Sequence, residues 1–314
     1  MLVLLRVKSK LHSLQNRPLN SEKMETLTPV RPGFGGFDEP YDRANVVFAG
    51  FPLDVTSSYR SGYRFGPARI REASANLETY LTSAGLDVFE RLNISDLGDI
   101  AITPTDLKAT GERITQLVKR VSGEGKIPVL LGGEHTLTYS ALRAFDDVFV
   151  VQLDAHRDLR DEYMGDRLCH ATVMRRVLDH LPSKRLLQVG IRSCSKEEEE
   201  FARDAKVATY TSEQMIDKTP EIVATVKKLA GNSRVYITID LDVLDPAFAP
   251  GVATPEPGGP STVELLRLIR ELGKLNVMAF DVVELVPPHD DGTTAFVAAK
   301  IIYELLAAIA GSAK

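Results

Sequence analysis

The chain has 314 residues, of which 44% are hydrophobic and 26% are charged, and this composition predicts one large folded domain rather than a disordered chain. Its formal net charge of −5 at pH 7 comes from interspersed charges of both signs, which argues against a nucleic-acid partner and against an anionic membrane surface. Two cysteines are too few for a disulfide framework, so we expect a reducing, cytoplasmic setting.

The first residues are rich in Ser, Pro, Asn and Gly, and we expect a flexible extension over residues 1–36 before a catalytic domain over residues 37–314. The opening apolar run, Leu2–Leu5, is shorter than the roughly 7–15 residues of a signal-peptide core. No later run approaches the ~18 consecutive apolar residues that favour a membrane-spanning helix. We therefore expect no membrane partner.

From Asn45 onward, short strand-like runs alternate with amphipathic segments of helical length. Strands are predicted over 45–51, 127–133, 148–156, 185–191, 235–242 and 276–285. Helices are predicted over 67–78, 105–122, 136–145, 170–181, 197–205, 219–230, 261–273 and 293–310. Most of the strands are continuously apolar, which is typical of a parallel sheet covered on both faces. The order predicts a single three-layer α/β/α domain with a central, mostly parallel sheet.

Acidic and imidazole side chains cluster at the ends of three predicted strands, where such folds bind their ligands. They are Glu134 and His135 after the first, Asp154, His156 and Asp158 at the second, and Asp240 and Asp242 at the third. In an extended backbone, alternate side chains point the same way, so the residues of each alternating set converge. One Asp-x-Asp after a strand is more often a solvated loop or a helix cap. Recurrence at three strand ends favours a shared site.

Burying so many carboxylates together is unfavourable unless a cation neutralises them. Carboxylate-rich ligation without thiolates favours manganese, with iron, cobalt or nickel able to substitute. Two such ions would make hydroxide available near neutral pH. The pattern therefore predicts a metal-dependent hydrolase.

Three of these segments, GGEH (132–135), DAHRD (154–158) and DLDVLDP (240–246), resemble signature segments of the arginase/agmatinase/formiminoglutamase family of ureohydrolases. Further similar segments are RSGYRFGPARIR (60–71), GVATPEPGG (251–259) and DVVELVP (281–287). The resemblance covers about Asn45 to the C-terminus. It implies an arginase-like fold, two Mn²⁺ ions per subunit and a homotrimer or homohexamer.

The resemblance also implies individual roles. One metal would be held by His135, Asp154, Asp158 and Asp240, and the other by Asp154, His156, Asp240 and Asp242. Asp158 would orient the attacking hydroxide, Glu284 would pair with the substrate guanidinium, and His170 would transfer a proton to the leaving amine. Taken alone, Glu284 could be a surface residue and His170 a helix-start residue. Two departures from the family pattern are Glu134, where many members have Asp, and Ala253, which replaces a glycine.

The loop over 159–170 bears on the substrate, a small cationic guanidinium compound. Its acids, Asp161, Glu162 and Asp166, favour an amine over a carboxylate, and hence agmatine, which would give putrescine and urea. The stretch is also similar to agmatinases whose relatives accept N1-aminopropylagmatine and give spermidine. Arginine and guanidino acids remain alternatives. A metal-dependent deacetylase would call for paired histidines, and a non-catalytic metal-binding homologue would be expected to lose a ligand or Glu284.

Overall fold

The computed structural model of the protein describes residues 26–37 and 39–312. Within these residues the strands in chain order are β1 (Leu27–Thr28), β2 (Val46–Phe51), β3 (Tyr80–Leu81), β4 (Leu86–Asp87), β5 (Ile94–Ile100), β6 (Ile127–Gly132), β7 (Phe149–Leu153), β8 (Leu186–Ile191), β9 (Ala208–Thr211), β10 (Val235–Asp240) and β11 (Val277–Val283). Nine of them form one sheet in the order β1-β5-β2-β6-β11-β10-β7-β8-β9, while β3 and β4 pair separately. Within the large sheet β1 pairs antiparallel with β5, and the other neighbours pair in parallel.

Helices cover both faces of this sheet. In chain order they are α1 (Gly66–Ser74), α2 (Val88–Arg91), α3 (Leu107–Gly123), α4 (Thr136–Leu142), α5 (Val173–His180), α6 (Lys196–Asp204), α7 (Ser212–Asp217), α8 (Thr219–Ala230), α9 (Thr262–Leu272) and α10 (Thr293–Ser312). Because successive strand residues point to opposite faces, Phe149 and Val151 of β7 pack in a core with α8, α9 and α10. Val150 packs in a second core with α3, α4 and α5. Two cores on two faces confirm the predicted three-layer α/β/α domain.

The predicted extension over residues 1–36 needs a correction at its C-terminal end. Strand β1 pairs with β5, and Phe34 is fully buried, with its ring stacked on that of Phe48 at 4.4 Å between centroids. Residues 26–36 therefore belong to the folded domain, because they add an edge strand and an aromatic side chain to its core. Residues 1–25 lie outside the described residues.

Strand β5 is not among the strands predicted from the sequence. Its run ISDLGDI carries two acids, which obscure the apolar pattern of a buried strand. Asp96 is buried there because the buried Arg71 of α1 donates to it from Nε and Nη2, at 2.8 and 2.9 Å. Such a pair is visible only in the tertiary structure.

Helix ends agree with the predictions to within a few residues. The predicted helix over 261–273 is α9, for which Ser261 is the N-cap in a reciprocal pair with Glu264. The predicted helix over 170–181 begins later, because His170–Thr172 forms a 3₁₀ turn before α5. This turn places His170 ahead of the helix proper.

Helix α10 is long and apolar enough, by length and composition, to cross a membrane, contrary to the expectation from the sequence. Its mean hydropathy is 1.6 over the most apolar window, and 61% of that window is buried inside the protein. The helix packs against α1 and α9. A helix buried in a core has the same apolar composition as one in a bilayer.

Candidate active site

Four neighbouring strands, β6, β11, β10 and β7, end at the same edge of the sheet and carry the predicted site residues there. These are His135 after β6, Glu284 after β11, Asp240 and Asp242 at the end of β10, and Asp154, His156 and Asp158 after β7. Parallel strands bring their carboxyl ends together. As one result, the backbone N–H of His135 donates to Oε1 of Glu284 at 2.7 Å, although 149 residues separate them.

The first group of candidate metal ligands surrounds His135. Its Nδ1 lies 3.3 Å from Oδ2 of Asp154, 3.1 Å from Oδ2 of Asp158 and 3.3 Å from Oδ2 of Asp240. This Nδ1 is buried and has no hydrogen-bond partner. Since buried polar atoms are rarely left unpaired, an unpartnered nitrogen facing three carboxylate oxygens points to a cation among them.

The second group consists of Asp154, His156 and Asp242. Nδ1 of His156 lies 2.8 Å from Oδ2 of Asp242 and 3.8 Å from Oδ1 of Asp154. Asp154 thus presents one carboxylate oxygen to each group, as a bridging ligand does. Asp240 presents Oδ2 to the first group, and its Oδ1 accepts from the backbone N–H of Asp242 at 2.9 Å. Its membership of the second group stays a prediction.

The ionisation of these groups is strongly perturbed. Burial, together with the charges of Asp240 and Asp158, raises the pKa of Asp154 well above its ordinary value. Burial lowers the pKa of His135, but the close carboxylate of Asp158 and the negative charge of Asp154 outweigh this and raise the pKa to about 10. Such groups hold extra protons, which a binding divalent cation displaces. Side chains of this kind fit a pair of divalent ions.

The backbone at two site residues is held in an unusual conformation. Asp158 has φ of 54° and Glu284 has φ of 71°, in the left-handed region that side-chain-bearing residues seldom adopt. The Glu284 turn is anchored by its N–H, which donates to the carbonyl of Gly133 at 3.0 Å. A Cβ on Gly133 would lie 2.3 Å from the carbonyl oxygen of Leu53. Glycine is therefore required where β6 passes into the site.

A buried chain of hydrogen bonds behind His135 was not predicted from the sequence. Nε2 of His135 lies 2.9 Å from Oγ1 of Thr238, which lies 3.1 Å from Oγ1 of Thr138. Thr138 donates to Oδ2 of Asp281 at 2.8 Å, and the Tyr236 hydroxyl donates to the same oxygen at 2.6 Å. A proton on Nε2 leaves Nδ1 free for a metal. The only sequence signal for this chain was Asp281, the other acid of the DVVEL segment, three residues before Glu284.

The pocket above these groups has a volume of about 210 Å³ and reaches Glu284 and His170. Burial raises the pKa of Glu284 to about 8, although the nearby His135 lowers it. His170 lies in the pocket wall, with Nδ1 3.2 Å from Oγ1 of Thr56 and Nε2 3.3 Å from Oγ of Ser58. The structure therefore brings His170 and Glu284 into one cavity with the candidate metal ligands.

The acids of the 159–170 loop do not line this pocket. The Asp161 carboxylate accepts from Arg176 at 2.6 Å and from Arg167 at 3.0 Å. The loop residues that reach the pocket before His170 are Arg160 and Tyr163. The loop acids were expected to favour an amine over a carboxylate, but Arg176 and Arg167 pair with Asp161 outside the pocket.

Ala253, which stands where the family pattern has a glycine, is accommodated in the core. It is buried in a small apolar cluster with Tyr63 and Val286. A methyl group adds contacts there.

The family model for the arginase family matches residues 44–308, and the chain belongs to that family. It is a ureohydrolase, an enzyme that hydrolyses C–N bonds of linear amidines.

Its relatives carry several specific activities. It is 37% identical over 273 residues to an agmatinase of Bacillus subtilis, covering 85% of this chain and 92% of that one. It is 37% identical over 304 residues to the human mitochondrial guanidino acid hydrolase, covering 93% and 84%. Among solved structures, the agmatine ureohydrolase of Thermoplasma volcanium is similar with a TM-score of 0.81 and 37% identity, covering 96% and 97%.

Proposed function

We propose that this ureohydrolase uses two Mn²⁺ ions to convert agmatine to putrescine and urea. Metal binding is supported by the buried, unpartnered Nδ1 of His135, which faces the carboxylates of Asp154, Asp158 and Asp240 at 3.1–3.3 Å. Oxygen-rich ligation with two imidazoles favours Mn²⁺, and Fe, Co or Ni can replace it. The full ligand set comprises His135, Asp154, His156, Asp158, Asp240 and Asp242.

When bound, the two ions supply a hydroxide nucleophile near neutral pH. Asp158 stands at the pocket side of the first group, where its carboxylate can accept a hydrogen bond from that nucleophile. Glu284 binds the guanidinium through two charge-assisted hydrogen bonds. The incoming cation favours the ionised carboxylate and so lowers its raised pKa. His170, in the wall of the same pocket, hands a proton to the departing amine.

The charge of the pocket supports a cationic substrate. Of its five carboxylate residues, Asp158, Asp240 and Asp242 belong to the proposed ligand set, and Glu198 pairs with Arg160, which leaves Glu284 for the substrate. Agmatine carries at one end a guanidinium, which the Glu284 carboxylate attracts, and at the other an ammonium in place of a carboxylate. N1-aminopropylagmatine carries a further amine and is also cationic, so it remains the alternative substrate.

Guanidino acids are a second candidate, and Arg160 is the observation that favours them. Its guanidinium could pair with a substrate carboxylate. Nε of Arg160, however, lies 3.5 Å from Oε2 of Glu198, which is 4% exposed. Because Glu198 already compensates much of the positive charge of Arg160, agmatine is proposed as the substrate rather than a guanidino acid.

The test is a substrate panel on the Mn²⁺-loaded protein. Urea release is measured with agmatine, N1-aminopropylagmatine, 4-guanidinobutyrate and arginine, and glutamate release with formiminoglutamate. We expect kcat/KM for agmatine to exceed that for 4-guanidinobutyrate by at least ~10-fold, about 1.4 kcal/mol. A higher value for 4-guanidinobutyrate would assign the enzyme to guanidino acids. Two bound metals with no turnover of any compound would overturn the catalytic proposal.

The homotrimer or homohexamer and the cytoplasmic location stay predictions from the sequence. Light scattering on the purified protein measures the first, and fractionation of cells measures the second.

A further inference from the structure

The hydroxyl of Thr56 lies between two residues of the pocket region, Glu134 and His170. Oγ1 of Thr56 donates to Oε2 of Glu134 at 2.6 Å. The same oxygen accepts from the backbone N–H of His170 at 3.2 Å and lies 3.2 Å from Nδ1 of its ring. Thr56 is thus in contact with the residue expected to transfer the proton, although no motif pointed to it.

Glu134 is a firm anchor for this hydroxyl. Its side chain is fully buried, and its Oε1 accepts from the backbone N–H groups of Val55 and Thr56. Its second oxygen remains for the Thr56 hydroxyl. Glu134 stands where many family members have Asp, and its longer side chain here contacts both Val55 and Thr56.

The valence of the hydroxyl decides which ring nitrogen of His170 carries the proton. A threonine hydroxyl has one proton to donate and two lone pairs to accept with. Burial raises the pKa of Glu134, but the backbone N–H groups of Val55 and Thr56 that donate to Oε1 favour the ionised carboxylate, so Oε2 accepts the hydroxyl proton. One lone pair of Thr56 Oγ1 accepts the hydrogen bond from the His170 backbone N–H, and the other faces Nδ1 of the His170 ring. Since no hydroxyl proton is left for Nδ1, this nitrogen must be the one that donates.

The other side chains around the ring do not select a tautomer. Ser58 lies 3.3 Å from Nε2 and is exposed, so its hydroxyl can donate or accept. Tyr163 meets the ring edge-on, with centroids 5.9 Å apart, and its contact favours neither nitrogen. Burial lowers the pKa of His170; the charge of Asp158 and a hydrogen bond with the Thr56 backbone oppose this, and His156 and His135 add to the lowering.

We propose that Thr56 is a positioning residue that holds His170 as the tautomer protonated at Nδ1, by linking its ring to the anchored carboxylate of Glu134. The Nε2 lone pair is then free to take up a proton and pass it to the leaving amine. Only this last step rests on the proposed function. The tautomer itself does not depend on which substrate is cleaved.

The test compares Thr56→Val, which keeps the shape but loses the hydroxyl, with Thr56→Ser, which keeps the hydroxyl. Ring ¹⁵N NMR is recorded on the full chain loaded with diamagnetic Zn²⁺. The chain has six histidines, so the signal of His170 is assigned by its loss in His170→Ala. We expect protonated Nδ1 in the wild type and in Thr56→Ser, and a shift toward protonated Nε2 in Thr56→Val. Ser58→Ala is the matched control and should leave the tautomer unchanged.

Kinetics on the Mn²⁺-loaded protein give the second readout, with the best substrate of the panel. Thr56→Val should lower kcat by about 10–100-fold, less than the ~10²–10⁴-fold expected for loss of the general acid itself, with KM nearly unchanged and the pH profile altered. Thr56→Ser should restore kcat to within a few-fold. Added to His170→Ala, Thr56→Val should have no further effect, because the two residues act as a unit.

Three results would overturn the proposal: an unchanged tautomer in Thr56→Val, equal kcat in the Val and Ser variants, or a full additional loss in the His170→Ala background. Metal content and thermal unfolding are measured for every variant. Should Thr56→Val unfold or lose metal, Thr56→Ala is the second hydroxyl-free variant for the NMR comparison. Absence of turnover in the wild type would overturn the proposed function, and the NMR result would still decide the role of Thr56.

Discussion

Nδ1 of His135 and Oδ2 of Asp158 lie 3.1 Å apart. His135 follows β6 and Asp158 follows β7, two strands of the same sheet. Nδ1 has no hydrogen-bond partner, and Asp158 is held in a left-handed backbone conformation. A conformation of that kind persists only when its surroundings enforce it. This pairing is the basis of the first prediction.

Asp158→Asn should lower kcat by at least about 10³-fold, because it removes a candidate ligand and the carboxylate that would orient the nucleophile. The variant should also bind less metal, which elemental analysis measures. Asp161→Asn is the matched control, since Asp161 pairs with Arg167 and Arg176 away from the pocket. Near-normal activity in Asp158→Asn would exclude its assigned role.

Removal of the metal should make stability depend steeply on pH. When no metal is bound, nearby carboxylates outweigh the opposing effect of burial and raise the pKa values of His135 and His156 to about 10. A histidine with a raised folded-state pKa stabilises the fold fully below its unfolded pKa, about 6.5, and loses this as pH rises through the folded value. The chelated protein should therefore lose thermal stability between about pH 6.5 and 10.

Added Mn²⁺ should raise Tm more at pH 8.5 than at pH 6, because metal and protons compete for the same ligands. Thermal unfolding by calorimetry, with and without chelator, measures both effects. A Tm of the chelated protein that increases over this pH range would contradict the assigned cluster.

Asp281→Asn should weaken metal binding by about 10–100-fold, the usual cost of disturbing a residue that supports a ligand. Asp281 anchors the chain through Thr138 and Thr238 to Nε2 of His135, so its loss frees the ring to rotate or change tautomer. Titration with Mn²⁺ followed by electron paramagnetic resonance measures the affinity. Tyr236→Phe removes one hydrogen bond to Asp281 and should have a smaller effect. Unchanged affinity in a folded Asp281→Asn protein would remove this support role.

Arg160→Gln should change substrate preference. Because Arg160 lines the pocket, its removal should raise the ratio of kcat/KM for agmatine to that for 4-guanidinobutyrate by about 10-fold, mostly through KM. Arg120→Gln, in an exposed pair with Glu124 on α3, is the charge-matched control. A ratio that stays the same or falls in Arg160→Gln would contradict the assigned contact between this side chain and the substrate tail.

Much of the site was predictable because its residues are specified by local periodicity. Asp154, His156 and Asp158 alternate at the end of an apolar strand, as do Asp240 and Asp242, and the direction of alternate side chains follows from strand geometry alone. The role of His170 required the family resemblance, since a histidine near a helix start has no chemical signature of its own.

Other features depended on contacts between distant parts of the chain. Strand β5 carries acids that become buried only because Arg71 reaches Asp96. The acidic loop suggested a repulsive surface for carboxylates, but Arg176 and Arg167 draw Asp161 away and leave Arg160 at the pocket. Whether a charged side chain faces a ligand depends on its partners, and these are remote in sequence.

By itself, the sequence determined the layered α/β fold, the identity of the candidate ligands and the type of reaction, because strand and helix periods and ligand chemistry are local properties of the chain. Only the tertiary structure decided that His135 Nδ1 is unpartnered among three carboxylates and that Asp281 supports its ring through two threonines. It also decided that Thr56 joins Glu134 to His170. Hydrogen bonds between segments more than 70 residues apart arise from how the strands are ordered in the sheet, which no local pattern specifies.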